Sequence, residues 1–376
     1  MIKKIVYGLG ALALLLGLYG FYSRLFIGER EVNYGSYVTW GLWVAMYLFF
    51  AGISTGAYML ATLDHLFNVR LFKGAGKYAL WGALVTMPAA LITIAFDLGH
   101  MERIWKVYLS PNFGAPMAQL VWGYTLFLVV IVVSLVLTLR RPQKLATKVV
   151  MSIGLFLAIF LSGGVGALLS VNASRASWHA AMLPAQFPIF SLTSGVALLM
   201  ILLGWFTPDD EIRQQRVRLL GLAMIVLILV KAYYLWVDYS VALYSGVPDT
   251  ARAVELVLFG QYAWAFWGLQ VTLGMIVPLI VLVQPRLARS GFWAGLMGVL
   301  VLVGFAVARS NIIFPALAIP ELEGLTEAFH GPHLNINYVP SLMELSVVSG
   351  VVGLATLAYL IGVDALPFLK KYEVTK

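Results

Sequence analysis

Asp97 and His100 stand three residues apart at the end of an apolar run, in IAFDLGHMERIWKVYLSPNFGAPM. That spacing predicts a shared helix face. A carboxylate beside an imidazole can take up a proton and hand it to water; the plainer reading is a helix end with snorkelling charges. In LSVNASRASWHAAMLP, Arg175, Trp178 and His179 fall within one helical turn. They suit either a polar site or an interfacial aromatic belt. In VKAYYLWVDYS, Lys231 lies deep in its apolar run, where ionisable groups line cavities or pair with one another. Asp238 follows on the same face, about 10 Å further along by helical rise. The two could form a proton path, or an ion pair mediated by another helix. Arg309 and Asn311 precede Pro315, and Glu344 opens the last apolar run, so an Arg309–Glu344 pair across a loop is expected.

The elements that must position these groups are membrane helices. The chain is 61% hydrophobic and 11% charged, against about 25% charge in soluble domains. A span needs about 20 apolar residues. Ten are expected, roughly Ile2 to Tyr22, Tyr37 to Leu63, Tyr78 to Leu98, Leu120 to Leu139, Val149 to Ser170, Ile189 to Phe206, Val217 to Tyr239, Tyr262 to Val283, Phe292 to Phe314 and Leu342 to Val363. Lys3 and Lys4 before an apolar core resemble a signal peptide, but no small-x-small site follows, so a retained helix is expected.

With ten spans both termini lie on one side, and that side carries most of the Lys and Arg. The positive-inside rule then places the termini in the cytoplasm. The net charge of +8 is explained by orientation and anionic lipid, with no need of nucleic acid. The opposite face has longer loops and gathers most of the residues able to move a proton. The absence of cysteine excludes thiol chemistry and cysteine-ligated iron–sulfur clusters. The five histidines give no pair facing each other at similar depth, so haem is not expected. His330-Gly-Pro-His333 has a metal-like spacing but reads as a solvated loop, and no metal is assigned.

YLFFAGISTGAYML, Tyr47 to Leu60, holds Gly52, Ser54, Thr55 and Gly56 in an apolar run. The GxxxG spacing lets two helix backbones approach closely. The fifth helix has a similar surface at Gly163, Gly164 and Gly166, so a narrow gap between helices two and five is expected, near Trp43 and Tyr47.

Three stretches resemble the NrfD-like family of membrane subunits of polysulfide reductase and related complexes: WGLWVAMYLFFAGISTGAYML, DLGHMERIWKVYLSPNFGAPM and VNASRASWHAAMLPAQFPIFSLTSG. ARSNIIFPAL through NYVPSLMELSVVSG looks like the ten-helix branch, which includes membrane subunits of uptake hydrogenases and alternative respiratory complexes. The resemblance implies an all-α membrane protein with two four-helix bundles and one extra helix at each end. The chain would divide into a first helix and loop over 1–36, a first bundle over 37–188, a second over 189–314, and a loop with the last helix over 315–376. It further implies a quinone site (menaquinone or ubiquinone) near the outer face, with no redox cofactor in this chain. A ferredoxin-like iron–sulfur subunit would dock outside and connect to a molybdopterin, hydrogenase or cytochrome subunit. Tyr47 matches the place of a family histidine that contacts quinone, while Val44 and Gly164 stand where the family has asparagine and tyrosine. Asp97, His100, Arg103, Arg175 and Trp178 match its pattern.

The resulting expectation is a quinone-reactive subunit of a respiratory oxidoreductase, with its pocket between helices two, three and five. Asp97 and His100 would exchange protons; Trp43, Tyr47, Arg103, Arg175, Trp178 and His179 would contact quinone; Lys231 and Asp238 would form a proton path. The alternatives are a ten-helix transporter, for which no symmetric pair of broken helices is evident, and a haem-containing anchor, which a pyridine haemochrome spectrum would reveal.

Overall fold

The computed structural model describes residues 2–140, 144–207, 210–322, 324–329 and 331–370. Among the described residues ten helices are long and apolar enough to cross a membrane: α1 (Ile2–Ile27), α2 (Leu42–His65), α3 (Gly76–Asp97), α4 (Pro116–Arg140), α5 (Leu145–Ser170), α6 (Leu183–Phe206), α7 (Glu211–Tyr244), α8 (Ala265–Val283), α9 (Gly291–Leu317) and α10 (Leu342–Ala365). Lys3 on α1 and Tyr7 both bond the Asp364 carboxylate on α10, so the two termini lie at the same end. The opposite end is called distal below.

Helices α2 to α5 pack as one ring and α6 to α9 as another, with α2 and α6 in contact across the seam. Helix α2 is the central post: 94% of its most apolar window is buried, against 17% for α1. This explains its unusual composition. A lipid-facing helix needs only bulk and apolarity, whereas a helix surrounded by helices needs small residues for close approach. A methyl on Gly56 would lie 1.8 Å from the Ser191 carbonyl oxygen of α6, and one on Gly195 would lie 2.3 Å from the carbonyl carbon of Gly56. Ser54 donates to the Ala83 carbonyl of α3 at 2.8 Å, which satisfies its hydroxyl without water. The narrow gap is therefore between α2 and α6, not between α2 and α5 as the sequence suggests. Gly163 and Gly166 of α5 face Pro184 and Leu183 of α6 instead, and α5 meets α2 where Gly154 makes room for Tyr58.

The first and last helices, one at each end of the chain, lie outside the two rings. They pair with each other beside α3. Gly17 and Gly350 bring the backbones together: a methyl on Gly17 would lie 2.1 Å from the Gly350 Cα. The Ser346 and Ser349 hydroxyls donate to the Leu16 and Ala13 carbonyls across the same seam, at 2.6 and 3.0 Å. In α8 the turns from Ala265 to Ile276 are wound as a π-helix, an uncommon geometry often found at functional positions. Gln270, in that stretch, is buried and accepts from Asn311 of α9 at 2.8 Å.

Candidate functional site

The distal ends of α1, α2, α3 and α10 converge on one polar cluster. Helix α3 ends at Asp97 because Leu98 turns to an extended conformation, φ −77° and ψ 121°. The last carbonyls of a helix lack internal partners. Arg24, at the distal end of α1, takes them: Nε donates to the Phe96 carbonyl and Nη2 to the Leu98 carbonyl, each at 2.7 Å. Nη2 also pairs with Glu29 at 2.9 Å. Arg24 thus clamps the backbone on both sides of Asp97 with its own charge already paired. The Asp97 Oδ1 atom is buried and has no hydrogen-bond partner among the described residues.

Around it the walls are aromatic. Trp43, fully buried at the start of α2, meets Phe96 at 6.2 Å between centroids, Tyr34 at 5.8 Å, and the Arg24 guanidinium at 5.8 Å. Its indole N–H is committed to the Glu344 carbonyl at 3.2 Å. Burial, followed by the charge of Asp97, pushes the Tyr34 phenol well above its ordinary pKa, so it remains protonated. The Glu344 side chain is fully buried, and its carboxylate accepts from Tyr338 at 2.5 Å, from the Ser341 N–H at 2.8 Å and from the Asn33 N–H at 3.2 Å. Glu344 is therefore saturated by donors from α10 and the loops, and the expected Arg309–Glu344 pair does not form. Arg309 is buried elsewhere, with its guanidinium 4.0 Å from the Phe187 ring centroid.

The other candidate residues are distributed more widely than their sequence spacing suggests. Asp97 and His100 do not share a helix face, because the helix has already ended. His100 points into solvent and bonds Glu102 at 2.9 Å, and Arg103 is exposed beside the same carboxylate at 3.6 Å. Hydrogen bonds, first from the backbone and then from His100, hold Glu102 below the usual carboxylate range. Arg175 donates to the Ile319 carbonyl at 2.7 Å and pairs with Glu321 at 3.2 Å. Burial lowers its pKa, with Glu321 opposing that shift. Trp178 donates to the Ile312 carbonyl at 2.6 Å and stacks on Trp40 at 5.4 Å. Both residues fasten the α5–α6 loop to the distal end of α9. His179 is exposed and bonds the Ser170 carbonyl at 2.8 Å.

Tyr47 meets Tyr124 of α4 edge to face at 6.0 Å, and the two hydroxyls interact. Tyr124 lines a small cavity with Leu48, Gly52, Thr55, Ser162 and Arg309. That cavity lies among α2, α4, α5, α6 and α9, with no α3 residue in its wall, whereas the expected pocket was between helices two, three and five. Lys231 and Asp238 are not paired: the Lys231 ammonium lies 5.9 Å from the Phe190 ring, while Asp238 accepts from Gln186 at 2.7 Å. His330 lies outside the described residues. No group of three or more possible metal ligands exists among the described residues.

The structure thus brings together Asp97 and Trp43, and adds Arg24, Glu29, Tyr34, Tyr338 and Glu344. Arg24 could have been noticed as a cation near the end of the first apolar run. The two tyrosines and Glu29 carried no such signal, because they come from loops.

The sequence model of the family described as "Polysulphide reductase, NrfD" matches residues 31–321. A selenate reductase subunit of Mesobacillus selenatarsenatis is 26% identical, over 99% of this chain and 96% of its own length. The Hdr-like menaquinol oxidoreductase integral membrane subunit of Archaeoglobus fulgidus is 26% identical over 94% and 91%. The menaquinone reductase integral membrane subunit of Nitratidesulfovibrio vulgaris is 22% identical over 81% and 79%.

Proposed function

Because the chain belongs to the polysulphide reductase NrfD family, we propose that it is the quinone-reactive membrane subunit of a respiratory oxidoreductase. Electrons pass between the membrane quinone pool and an iron–sulfur subunit docked on the distal face, which connects to a catalytic subunit. Menaquinone is the form specified by the names of two relatives. The basic bias of the terminal side supports cytoplasmic termini in a prokaryotic cytoplasmic membrane, and hence an extracytoplasmic distal face.

The observation that carries this reading is the Asp97 Oδ1 atom, buried and unpartnered at the distal end of α3. A buried oxygen without a partner is costly, by about 1–3 kcal/mol, and the fold retains one next to Phe96, whose ring packs on Trp43. The residues fit a quinone: Asp97 holds or releases a proton, Tyr34 stays protonated as a donor, and Trp43 supplies an apolar face. A bound quinone supplies a two-electron, two-proton redox couple. Asp97 is the proton acceptor or donor at its oxygen, and the Arg24 clamp on the flanking carbonyls fixes where that carboxylate points. In this reading His100, exposed beside Glu102, relays the proton to water on the distal face.

Asp97→Asn in the assembled complex tests the reading. Quinone-dependent electron transfer should fall at least tenfold, while the complex still assembles and the catalytic subunit still turns over with an artificial donor. Undiminished quinone activity would refute it.

A further inference from the structure

We propose that the cavity at Arg309, on the seam between the two bundles, binds one small monovalent anion of the halide class. The Arg309 side chain is 1% exposed, and its Nε and Nη1 atoms are buried without a hydrogen-bond partner. Its guanidinium is packed by Phe187 at 4.0 Å, Phe305 at 4.6 Å and Phe190 at 5.9 Å. Ring faces stabilise a cation but accept no directed N–H bonds in the guanidinium plane. Lys231 lies 5.9 Å from the Phe190 ring, so two cations flank the same ring. No carboxylate among the described residues pairs with either. Asp238, the acid nearest to Lys231 on its own helix, is taken by Gln186. Buried charge of one sign at this depth demands a partner.

The cavity beside Arg309 is lined by Thr55, Tyr124, Ser162 and Ser191 among apolar side chains. Its neutral polar side chains are all hydroxyls, and the charged group in its wall is the Arg309 guanidinium. Ser162 and Ser191 share one hydrogen bond at 2.7 Å, which leaves the second hydroxyl hydrogen of the pair available. Tyr124 and Tyr47 likewise have two hydroxyl hydrogens and at most one mutual bond. Thr55 spends its hydrogen on the Ala51 carbonyl at 2.9 Å. A water could exchange hydrogen bonds with these hydroxyls but would leave the buried Arg309 charge uncompensated. A monatomic anion accepts from all of them and balances the charge. The volume, about 10 Å³, suits one small body.

Two measurements on the full chain in detergent decide the matter. First, the wild-type protein is crystallised with bromide replacing chloride. An anomalous peak in the cavity beside Arg309 is expected; a cavity holding only water, or no anomalous density, overturns the proposal. Second, the thermal unfolding midpoint is followed as chloride replaces gluconate at constant ionic strength. A saturable rise is expected for the wild type, with no chloride dependence in Arg309→Gln. Equal wild-type midpoints in the two salts overturn the proposal, and they do so even if Arg309→Gln fails to fold. Neither measurement depends on the quinone assignment.

Discussion

Gln186 Nε2 donates to Asp238 Oδ2 at 2.7 Å, and that bond, not one from Lys231, fixes the Asp238 carboxylate on the distal half of α7. Gln186 is itself 2% exposed and lies at the start of α6, so the bond ties the first two helices of the second bundle together. Gln186→Leu leaves a half-buried carboxylate without its donor and should cost about 1–3 kcal/mol. Thermal unfolding in detergent measures this. Asp238→Asn keeps an acceptor for Gln186 and should be much milder; if the two are equally damaging, the charge of Asp238 is doing more than holding this bond.

Gly56 admits no side chain. A single methyl would overlap the Ser191 carbonyl oxygen and the backbone at Gly195, and backbone cannot move aside as a flexible side chain can. Gly56→Ala should destabilise by about 1–3 kcal/mol through overpacking and lower the yield of folded monomer in size-exclusion chromatography. Gly8, with nothing within 4 Å of an added methyl, is the matched control: Gly8→Ala should be neutral or slightly favourable.

His100 and Glu102 form an exposed pair, and solvent screening leaves such a pair little weight in stability. His100→Ala should therefore leave the unfolding midpoint unchanged. In a relay role it should slow quinone turnover modestly. A variant with wild-type turnover across the pH range would remove His100 from the proton route while leaving Asp97 in it.

Trp178→Phe separates anchoring from quinone contact. The substitution keeps an aromatic ring against Trp40 but removes the N–H that bonds the Ile312 carbonyl, so a loss of about 0.5–1.5 kcal/mol of stability is expected. Since Trp178 fastens the α5–α6 loop to α9, the KM for quinone should stay within error. A raised KM at unchanged stability would return Trp178 to the binding surface.

The sequence by itself determined the ten spans, the shared side of the termini and the absence of thiol chemistry. These follow from the free energy of placing each residue in lipid, which is local along the chain. It also singled out Asp97 and Trp43, since a charge or an indole near the end of an apolar run is visible without a fold. Which helix faces which was decided only in three dimensions. The small residues of α2 fit α6 rather than α5 because the register of Gly56 against Gly195, well over a hundred residues apart, sets the seam. Asp97 and His100 separated because Arg24, from another helix, captures the carbonyls at the end of α3. Glu344 and Arg309 did not pair because Tyr338, Ser341 and the distant Asn33 satisfy the Glu344 carboxylate, while aromatic rings from α6 and α9 enclose Arg309. Hydrogen bonds and close packing between distant segments made those choices, and residue spacing carries no record of them.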